Sequence, residues 1–370
     1  MHGDFSFGIE EEYFLVDAKT KLVMRHMPEA FLAAAKTATG DHARGEFLQS
    51  QIELTSSPHV SFATARAELR HLRQTLAIVA AEHGLAILAA GTHPTALWGG
   101  SLQTPKERYD VVMADLQMIG RRNMLCGMHV RVELPDPDKR IDVMSRMLPY
   151  LPLFLALSTS SPFWQARRTG LMGYRLAAYD ELPRSGVPEL FRTNEEFDAY
   201  VAALVRAGVI EDSSYVWWAI RPSLQHPTLE LRAPDCCTRV DDTIAIAALY
   251  QAVARHLYHR PRCNRDINAV SRAIIVENKW RAQRYGVHGT FITNRGAVSV
   301  GEMLERVIEE TAADAAILGC TDEIAHCRTI IGDGTSADAQ LAIFDAHGAD
   351  DSCELALRAV TDWIASATLQ

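Results

Sequence analysis

What the sequence lacks excludes several classes of protein. The 370 residues carry 37 Lys and Arg against 46 Asp and Glu, so the formal net charge is −9 with histidine neutral. A chain without a basic surplus is poorly suited to neutralising phosphates, which argues against a nucleic-acid binder. The longest apolar stretch, 147–157, contains two prolines and is far shorter than the roughly 18–20 residues of a membrane-spanning helix.

Cysteine is sparse and irregularly placed. The seven cysteines are odd in number and never spaced as C-x-x-C, so they give neither a disulfide framework nor a zinc signature and suit a reducing compartment. The first residues, MHGD, lack the basic start and apolar run of a secretory signal. We therefore expect a cytoplasmic protein with no membrane partner.

Apolar patterning predicts strands in the first two thirds of the chain and helices in the last third. The predicted strands are 5–16, 46–55, 86–90, 125–134 and a hairpin within 215–233. The predicted helices are 63–83, 141–157, 193–207 and most of the chain from 241, with an irregular segment over 160–190. No strand–helix–strand alternation is sustained, which favours an α+β fold with an antiparallel sheet. No flexible linker marks the change near residue 240, so we expect one domain over 1–370.

Three consecutive glutamates, Glu10, Glu11 and Glu12, lie inside the first predicted strand. The two-residue period of a strand sends Glu10 and Glu12 to one face and Glu11 to the other. Neighbouring carboxylates on a half-buried face repel each other unless a cation compensates them. Mg²⁺ or Mn²⁺ is the natural cation because both prefer oxygen ligands. The alternative is an ordinary solvated strand face.

Glu46, Glu53 and His129 are further candidate ligands. Glu46 and Glu53 are seven residues apart, so they face opposite ways on a regular strand unless a bend intervenes. The alternative for Glu46 is simple exposure before the strand. His129 lies on the polar face of its strand, where a hydrogen-bonded structural role competes with metal ligation.

The segment TLELRA places Glu230 and Arg232 on one strand face, because they are two residues apart. A surface ion pair is one explanation of this arrangement. The other explanation is functional: Glu230 binds a metal, and Arg232 binds a phosphoryl group through the N–H donors of its planar guanidinium.

Six motifs occur in a fixed order: GIEEE, E-x6-E-L-T, GTHP, CGMHV, RP followed by TLELR, and NKWRAQRYG. Together they resemble the bacterial glutamate–cysteine ligase type 2 family of carboxylate–amine ligases, which is related to glutamine synthetase. The resemblance covers about residues 5–290. It implies a glutamine-synthetase-like catalytic domain, in which an antiparallel sheet forms a funnel-shaped site for ATP and two or three divalent metals, followed by a helical C-terminal third.

The resemblance also implies roles for individual residues. Its implied metal ligands are Glu10, Glu12, Glu46, Glu53, His129 and Glu230. In relatives one metal tends to use the equivalents of Glu12, Glu46 and Glu53, and the other those of Glu10, His129 and Glu230. Arg232 and Glu53 are the implied catalytic residues, and ATP contacts fall to Arg232, Arg131, Arg284 and Asn278. The segment 91–94 matches a further motif that shapes the substrate end.

One position departs from the family pattern. Many relatives carry H-V-H in the fourth motif, whereas this chain has Arg131 at the second histidine position. Arginine does not ligate metals. Two alternatives follow: Arg131 contacts a phosphate, or it pairs with Glu133 on the same strand.

The implied reaction is ATP-dependent amide formation. The γ-phosphoryl group passes to a carboxylate, giving an acyl phosphate that an amine attacks, with glutamate and cysteine as one substrate pair and weak activity on it. Relatives and base rates suggest a homodimer. Two alternatives stay open: a phosphotransferase of the related guanidino-kinase type, for which no nucleophilic cysteine can be placed, and a catalytically silent ATP- or amino-acid-binding protein.

Overall fold

The computed structural model describes residues 5–347 and 354–370. The strands in these ranges are β1 (Phe7–Asp17), β2 (Ala43–Gly45), β3 (Gln51–Thr55), β4 (Leu85–Leu88), β5 (Met128–Glu133), β6 (Phe163–Trp164), β7 (Arg167–Arg168), β8 (Ser185–Gly186), β9 (Trp217–Trp218), β10 (Ile220–Pro222), β11 (Thr228–Leu231), β12 (Thr290–Thr293) and β13 (Gly296–Ser299).

The α-helices in the same ranges are α1 (Glu29–Thr39), α2 (Phe62–Glu82), α3 (Glu107–Leu116), α4 (Met118–Arg121), α5 (Arg140–Met147), α6 (Leu151–Ser158), α7 (Tyr174–Tyr179), α8 (Asn194–Arg206), α9 (Val240–His259), α10 (Ala269–Tyr285), α11 (Val300–Leu318), α12 (Thr321–Asp333), α13 (Ser336–His347) and α14 (Glu354–Ala367). Short 3-10 turns occupy Trp98–Gly100, Pro137–Lys139, Leu148–Tyr150, Ser213–Tyr215 and Gly286–His288.

One antiparallel sheet organises the molecule. Its strand order is β10-β11-β5-β1-β3-β2, and β4 pairs with the second half of β1. Strand β1 (FGIEEEYFLVD) is rich in aromatic and β-branched residues, which suit a pleated and buried surface. It is the central strand because β3 pairs along one side of it and β5 along the other. The α+β class with an antiparallel sheet is confirmed.

Helices cover the sheet face that carries Glu11. Its carboxylate accepts hydrogen bonds from Arg73 of α2 and Thr243 of α9, so both helices lie against this face. Helix α9 is buried around almost its whole circumference, which is typical of a helix enclosed by other elements. The opposite face, which carries Glu10 and Glu12, is left for the site described below.

Most predicted elements occur close to their expected positions, but helices α1 and α3 lie in segments where no element was predicted. The strand expected over 46–55 begins at Gln51, because 46–50 form the turn between β2 and β3. The irregular segment 160–190 contains the short helix α7, and the hairpin of β12 and β13 interrupts the helical last third.

One helical run in the described residues, Pro137–Ser158, is long and apolar enough to cross a bilayer by composition alone. In its most apolar window 89% is buried inside the protein. This is the pattern of a core helix, and the run is broken by the turn Leu148–Tyr150.

Candidate active site

Strand register places the predicted ligands side by side on the open face of the sheet. Glu12 lies opposite Glu53 across β1 and β3, and Glu10 lies opposite His129 across β1 and β5. Directly opposed residues of antiparallel strands have Cβ atoms about 4.5–5.5 Å apart. The next pair along the sheet continues the row, because Glu230 of β11 is opposite Arg131 of β5.

The turn after β2 brings Glu46 to the cavity in front of these ligands. A regular strand would have turned it away from Glu53, but the chain reverses between β2 and β3, and Glu46 lines the cavity in front of the sheet. Burial and the nearby charges of Glu12 and Glu10 raise the pKa of Glu46 to about 7. Burial, with Glu10 and Glu46 as neighbours, raises the pKa of Glu53 well above its usual value. These two carboxyls are therefore costly to ionise without a cation.

The carboxylates nearer β11 are compensated by arginine. Glu230 Oε1 is 2.6 Å from Arg232 Nη1, and Glu230 Oε2 is 3.1 Å from Arg221 Nε. Arg131 Nη1 lies 2.6 Å from Glu10 Oε2. Burial opposes ionisation, but these guanidinium groups outweigh it and hold the pKa of both carboxyls well below the usual range.

Within the described residues, one ring nitrogen of His129 has no hydrogen-bond partner. Its Nδ1 is 2.7 Å from Glu10 Oε1, whereas its buried Nε2 has no hydrogen-bond partner in the described chain and lies 3.9 Å from Glu12 Oε1. Burial and the nearby Arg232 lower the pKa of His129 to about 4, so the imidazole is neutral and able to ligate at neutral pH.

Two overlapping groups of ligand atoms form within this cluster. Glu10, His129 and Glu230 offer atoms within 4.8 Å of one another, and so do Glu10, Glu12 and Glu53. Converging carboxylates and one neutral imidazole, whose buried Nε2 has no partner in the described chain, fit hard divalent cations such as Mg²⁺ or Mn²⁺. Glu46 stands beside the second group and belongs to neither.

Two adjoining cavities open in front of the ligands. One, of about 370 Å³, is bounded by Glu12, Glu46, His129, Arg175 and Arg232. The other, of about 560 Å³, is bounded by Glu53, Glu230 and Arg44. They share a wall that includes Glu10, Arg131 and Arg221. The site therefore offers space for two groups on either side of one row of charged side chains.

Reasoning from the sequence missed Arg175 and Arg221. Arg221 is opposite Glu230 in the β10–β11 hairpin, so the R-P sequence before TLELR was the available signal. Arg175 is almost fully buried, lines the first cavity and donates to the carbonyls of Arg232 and Pro234 at 3.3 and 3.0 Å. It lies in the segment expected to be irregular, where no periodic pattern points to a site.

Gly127, in the CGMHV motif, makes room for Arg175. A Cβ added at Gly127 would lie 2.0 Å from Arg175 Nη2. We expect Gly127→Ala to displace this guanidinium and lower the free energy of unfolding by about 1–3 kcal/mol, measured by urea denaturation. Gly8→Ala is the matched control in β1, because nothing lies within 4 Å of its added Cβ. Equal stability of the two variants would contradict the packing argument.

Two residues predicted to contact ATP, Asn278 and Arg284, lie outside both cavities. The Asn278 amide is committed to the backbone of Ile292, through bonds of 2.9 and 2.7 Å that hold β12 against α10. Arg284 is exposed, with its guanidinium 5.0 Å from the Tyr285 ring centroid, and lines neither cavity. Arg131 pairs with Glu10 and Glu230, and Glu133 instead accepts from Ser6. Of the two alternatives for Arg131, the pairing with Glu133 does not occur, and the phosphate contact stays a prediction.

The segment 91–94, expected to shape the substrate end, is buried and lines neither cavity. Gly91 packs so tightly against Asp235 that an added Cβ would lie 2.7 Å from its carboxyl group. His93 is buried, its Nε2 lies 3.0 Å from the Lys21 carbonyl, and its Nδ1 accepts from Thr95 N at 3.2 Å. Both hydrogen bonds form only when the ring is neutral and carries its proton on Nε2. A second proton, on Nδ1, would face the Thr95 N–H.

This arrangement predicts a loss of stability in acid. Burial lowers the pKa of His93 from 6.5 to about 4, so its contribution is present above pH 6.5 and is lost as pH falls to about 4. The loss amounts to about 3 kcal/mol. Urea denaturation of the wild type and His93→Gln between pH 7.5 and pH 4 should show the shallower decline in the variant. Parallel pH profiles would contradict this assignment.

Sequence comparisons identify relatives along almost the whole chain. The family described as glutamate-cysteine ligase family 2 matches residues 6–354. A protein of Bradyrhizobium sp. (strain ORS 278) is 56% identical over 366 residues, covering 99% of this chain and 88% of its own length. One of Rhodospirillum rubrum is 44% identical over 372 residues, covering 99% and 96%. Both are named "Putative glutamate--cysteine ligase 2".

Solved structures share the fold at low sequence identity. A bifunctional glutathione synthetase from Pasteurella multocida matches with a TM-score of 0.70 and 16% identity, over 98% of this chain and 52% of that protein, so this chain spans about half its length. A glutamate–cysteine ligase from Francisella tularensis in complex with AMP matches with a TM-score of 0.67 and 14% identity, over 100% and 91%. With the family match across 6–354, these findings show that the chain belongs to glutamate–cysteine ligase family 2.

Proposed function

We propose that the protein is an ATP-dependent carboxylate–amine ligase that forms an amide bond through an acyl phosphate. The observation that carries the proposal is the juxtaposition, on one sheet face, of a carboxylate–histidine cluster with four arginines: Arg131, Arg175, Arg221 and Arg232. Family membership supports the same reaction class. Glutamate and cysteine are the first substrate pair to test, because relatives carry that name.

The metals of this reaction would be Mg²⁺ or Mn²⁺, held by Glu10, Glu12, Glu46, Glu53, His129 and Glu230. When bound, they would neutralise the charge of the nucleotide phosphates and align the phosphoryl group for transfer. Glu10 belongs to both of the ligand groups described above, so it would serve two cations. This differs from the family partition, in which Glu46 completes the set of Glu12 and Glu53.

The arginines would orient the anionic reactants. Arg232 is held by Glu230 and by the Tyr179 hydroxyl, 3.3 Å from its Nη2, while its buried Nε has no partner in the described chain. Arg232 also lines the first cavity, which supports a role for its guanidinium in binding the transferring phosphoryl group. The attacking carboxylate and the triphosphate repel each other, so a fixed cation between them lowers the cost of bringing them together.

The substrate carboxylate oxygen attacks the γ-phosphorus, and ADP leaves with the bridging oxygen. The amine then attacks the acyl carbon and loses a proton, and inorganic phosphate departs with one oxygen of the original carboxylate. Burial and neighbouring charge raise the pKa values of Glu53 and Glu46 in the cation-free site. A carboxylate of this pair that is not bound to a cation would accept the amine proton.

ADP release is the first test. The purified protein is given Mg²⁺ and ATP with a panel of carboxylates and amines, including glutamate with cysteine, and Glu53→Gln serves as the control. Release that needs both substrates supports a ligase. Release with one substrate and a phosphorylated product supports the phosphotransferase alternative, and ATP binding without release from any pair supports a silent binding protein.

Isotope transfer tests the intermediate. A carboxylate labelled with ¹⁸O should deliver one labelled oxygen to inorganic phosphate, seen by ³¹P NMR. Label appearing in AMP instead would replace the acyl phosphate with an acyl adenylate. Sedimentation at several concentrations would test the proposed homodimer, and fractionation of cells the proposed cytoplasmic location.

A further inference from the structure

A second group of metal-ligating side chains lies away from the sheet, where the end of α9 meets α11. It consists of His256 on α9, Cys263 in the turn that follows, and Glu310 on α11. One ligand atom from each lies within 4.8 Å of the others. Cys263 Sγ is 3.3 Å and His256 Nε2 is 3.2 Å from Glu310 Oε1. These separations are close to the edges, about 3.3–3.8 Å, of a tetrahedron with zinc–ligand bond lengths.

The orientation of His256 is an independent observation. Its Nδ1 lies 3.2 Å from Asp314 Oδ2, which leaves Nε2 turned toward Cys263 and Glu310. Asp314 is only 1% exposed and is held by Arg255 and by Arg260, whose Nη1 is 2.7 Å from Oδ2. A carboxylate that bonds the far nitrogen of a histidine and fixes its tautomer is the usual support of a zinc-bound imidazole.

The donor set distinguishes this cluster from the sheet site. Imidazole, thiolate and carboxylate together suit the borderline ion Zn²⁺, whereas Mg²⁺ prefers oxygen alone. The Glu310 side chain is 36% exposed, so an ion and a water ligand can reach the cluster from solvent. Tyr150 donates to the second Glu310 oxygen at 3.1 Å, which leaves the first oxygen directed at His256 and Cys263.

We propose that His256, Cys263 and Glu310 bind one Zn²⁺ ion, with water as the fourth ligand. The ion would tie the turn after α9 to α11 and so fasten the helical part of the chain. This site is independent of the proposed ligase reaction, because none of its ligands lines the cavities in front of the sheet.

Co²⁺ is the spectroscopic probe for the site. Titrated into chelator-treated full-length protein with excess Mg²⁺ present to fill the sheet site, it should produce a near-ultraviolet thiolate-to-cobalt charge-transfer band that saturates and then disappears when Zn²⁺ is added. Cys263→Ser should abolish the band. Cys126→Ser, whose thiol is buried near Glu12, is the matched control and should retain it, as should Glu53→Gln in the sheet site.

A second measurement needs no variant. Zn²⁺ should protect Cys263 of the wild type from iodoacetamide, followed by mass spectrometry of its peptide, and should raise Tm through ligand linkage. Absence of a thiolate band at saturating Co²⁺ would overturn the proposal. So would a band that survives Cys263→Ser, or unchanged alkylation of Cys263 with Zn²⁺ present. Each of these outcomes would indicate that a proton on His256, and not a metal ion, joins His256 to Glu310.

Discussion

Arg232→Ala and Glu53→Gln should each lower turnover by about 10²–10³-fold while the protein stays folded. Arg232 supplies a guanidinium at the row of carboxylates, and its loss leaves Glu230 paired with Arg221 and Arg131. Gln at position 53 keeps the shape and can keep the bond with Thr55, but removes the negative charge proposed to hold a metal. Initial rates of ADP release, with circular dichroism for folding, provide the measurement.

The controls come from an exposed ion pair in the helical part of the chain. Arg328 and Glu305 bond each other at 2.7 and 2.8 Å on the surface, so Arg328→Ala and Glu305→Gln should leave turnover unchanged. Glu53→Gln should also be no less stable than the wild type when divalent cations are chelated, because burial and neighbouring carboxylates make the ionised group costly there. Near-normal turnover in both Arg232→Ala and Glu53→Gln would contradict the assignment of the active site.

Arg73→Met should lower the free energy of unfolding by about 3–5 kcal/mol, since it leaves a buried carboxylate unpaired. Arg73 and Glu11 have side chains 1% and 0% exposed, joined at 2.6 and 2.9 Å. The same guanidinium donates to the carbonyls of Cys237, Thr238 and Thr368, so it links the sheet to the segment before α9 and to the residue that follows the C-terminal helix α14.

Urea denaturation checks this prediction against Arg70→Met, one turn earlier on α2. Arg70 is 43% exposed and pairs with Asp241 at the surface, and exposed pairs contribute about 0–1 kcal/mol. The double variant Arg73→Met with Glu11→Gln should recover part of the loss, because no buried charge is then left alone. Equal effects of Arg73→Met and Arg70→Met would show that the buried pair is not what joins these elements.

The sequence predicted what depends on short-range periodicity. Alternation in β1 correctly separated Glu10 and Glu12 from Glu11, and alternation in β5 put His129 and Arg131 on one face. Both follow from strand geometry alone. The resemblance supplied the family, which the comparisons confirm, and a list of ligands whose roles stay predictions.

What escaped prediction depends on contacts between distant segments. Glu46 reaches the cluster because a turn, which alternation cannot locate, lies between β2 and β3. Arg175 enters the cavity from a segment without periodicity, through a gap that Gly127 leaves open. The motif around Asn278 suggested a ligand contact, but the side chain instead caps the edge of a hairpin. A motif match identifies the residue type at a position, but it does not show which neighbouring group the side chain contacts.

The distribution of charge along the row of strands has a directional consequence. Glu46 and Glu53, at the β2–β3 end, form no ion pair within the described chain, whereas Arg221 and Arg232 crowd the β10–β11 end. The open face is therefore polarised across its width. An elongated polyanion that approaches the cation-free site from solvent is attracted to the β10–β11 end, so its orientation is set before it makes contact. Added salt should weaken this orienting effect. It should lower the association rate constant of the polyanion by a larger factor than it raises the dissociation rate constant.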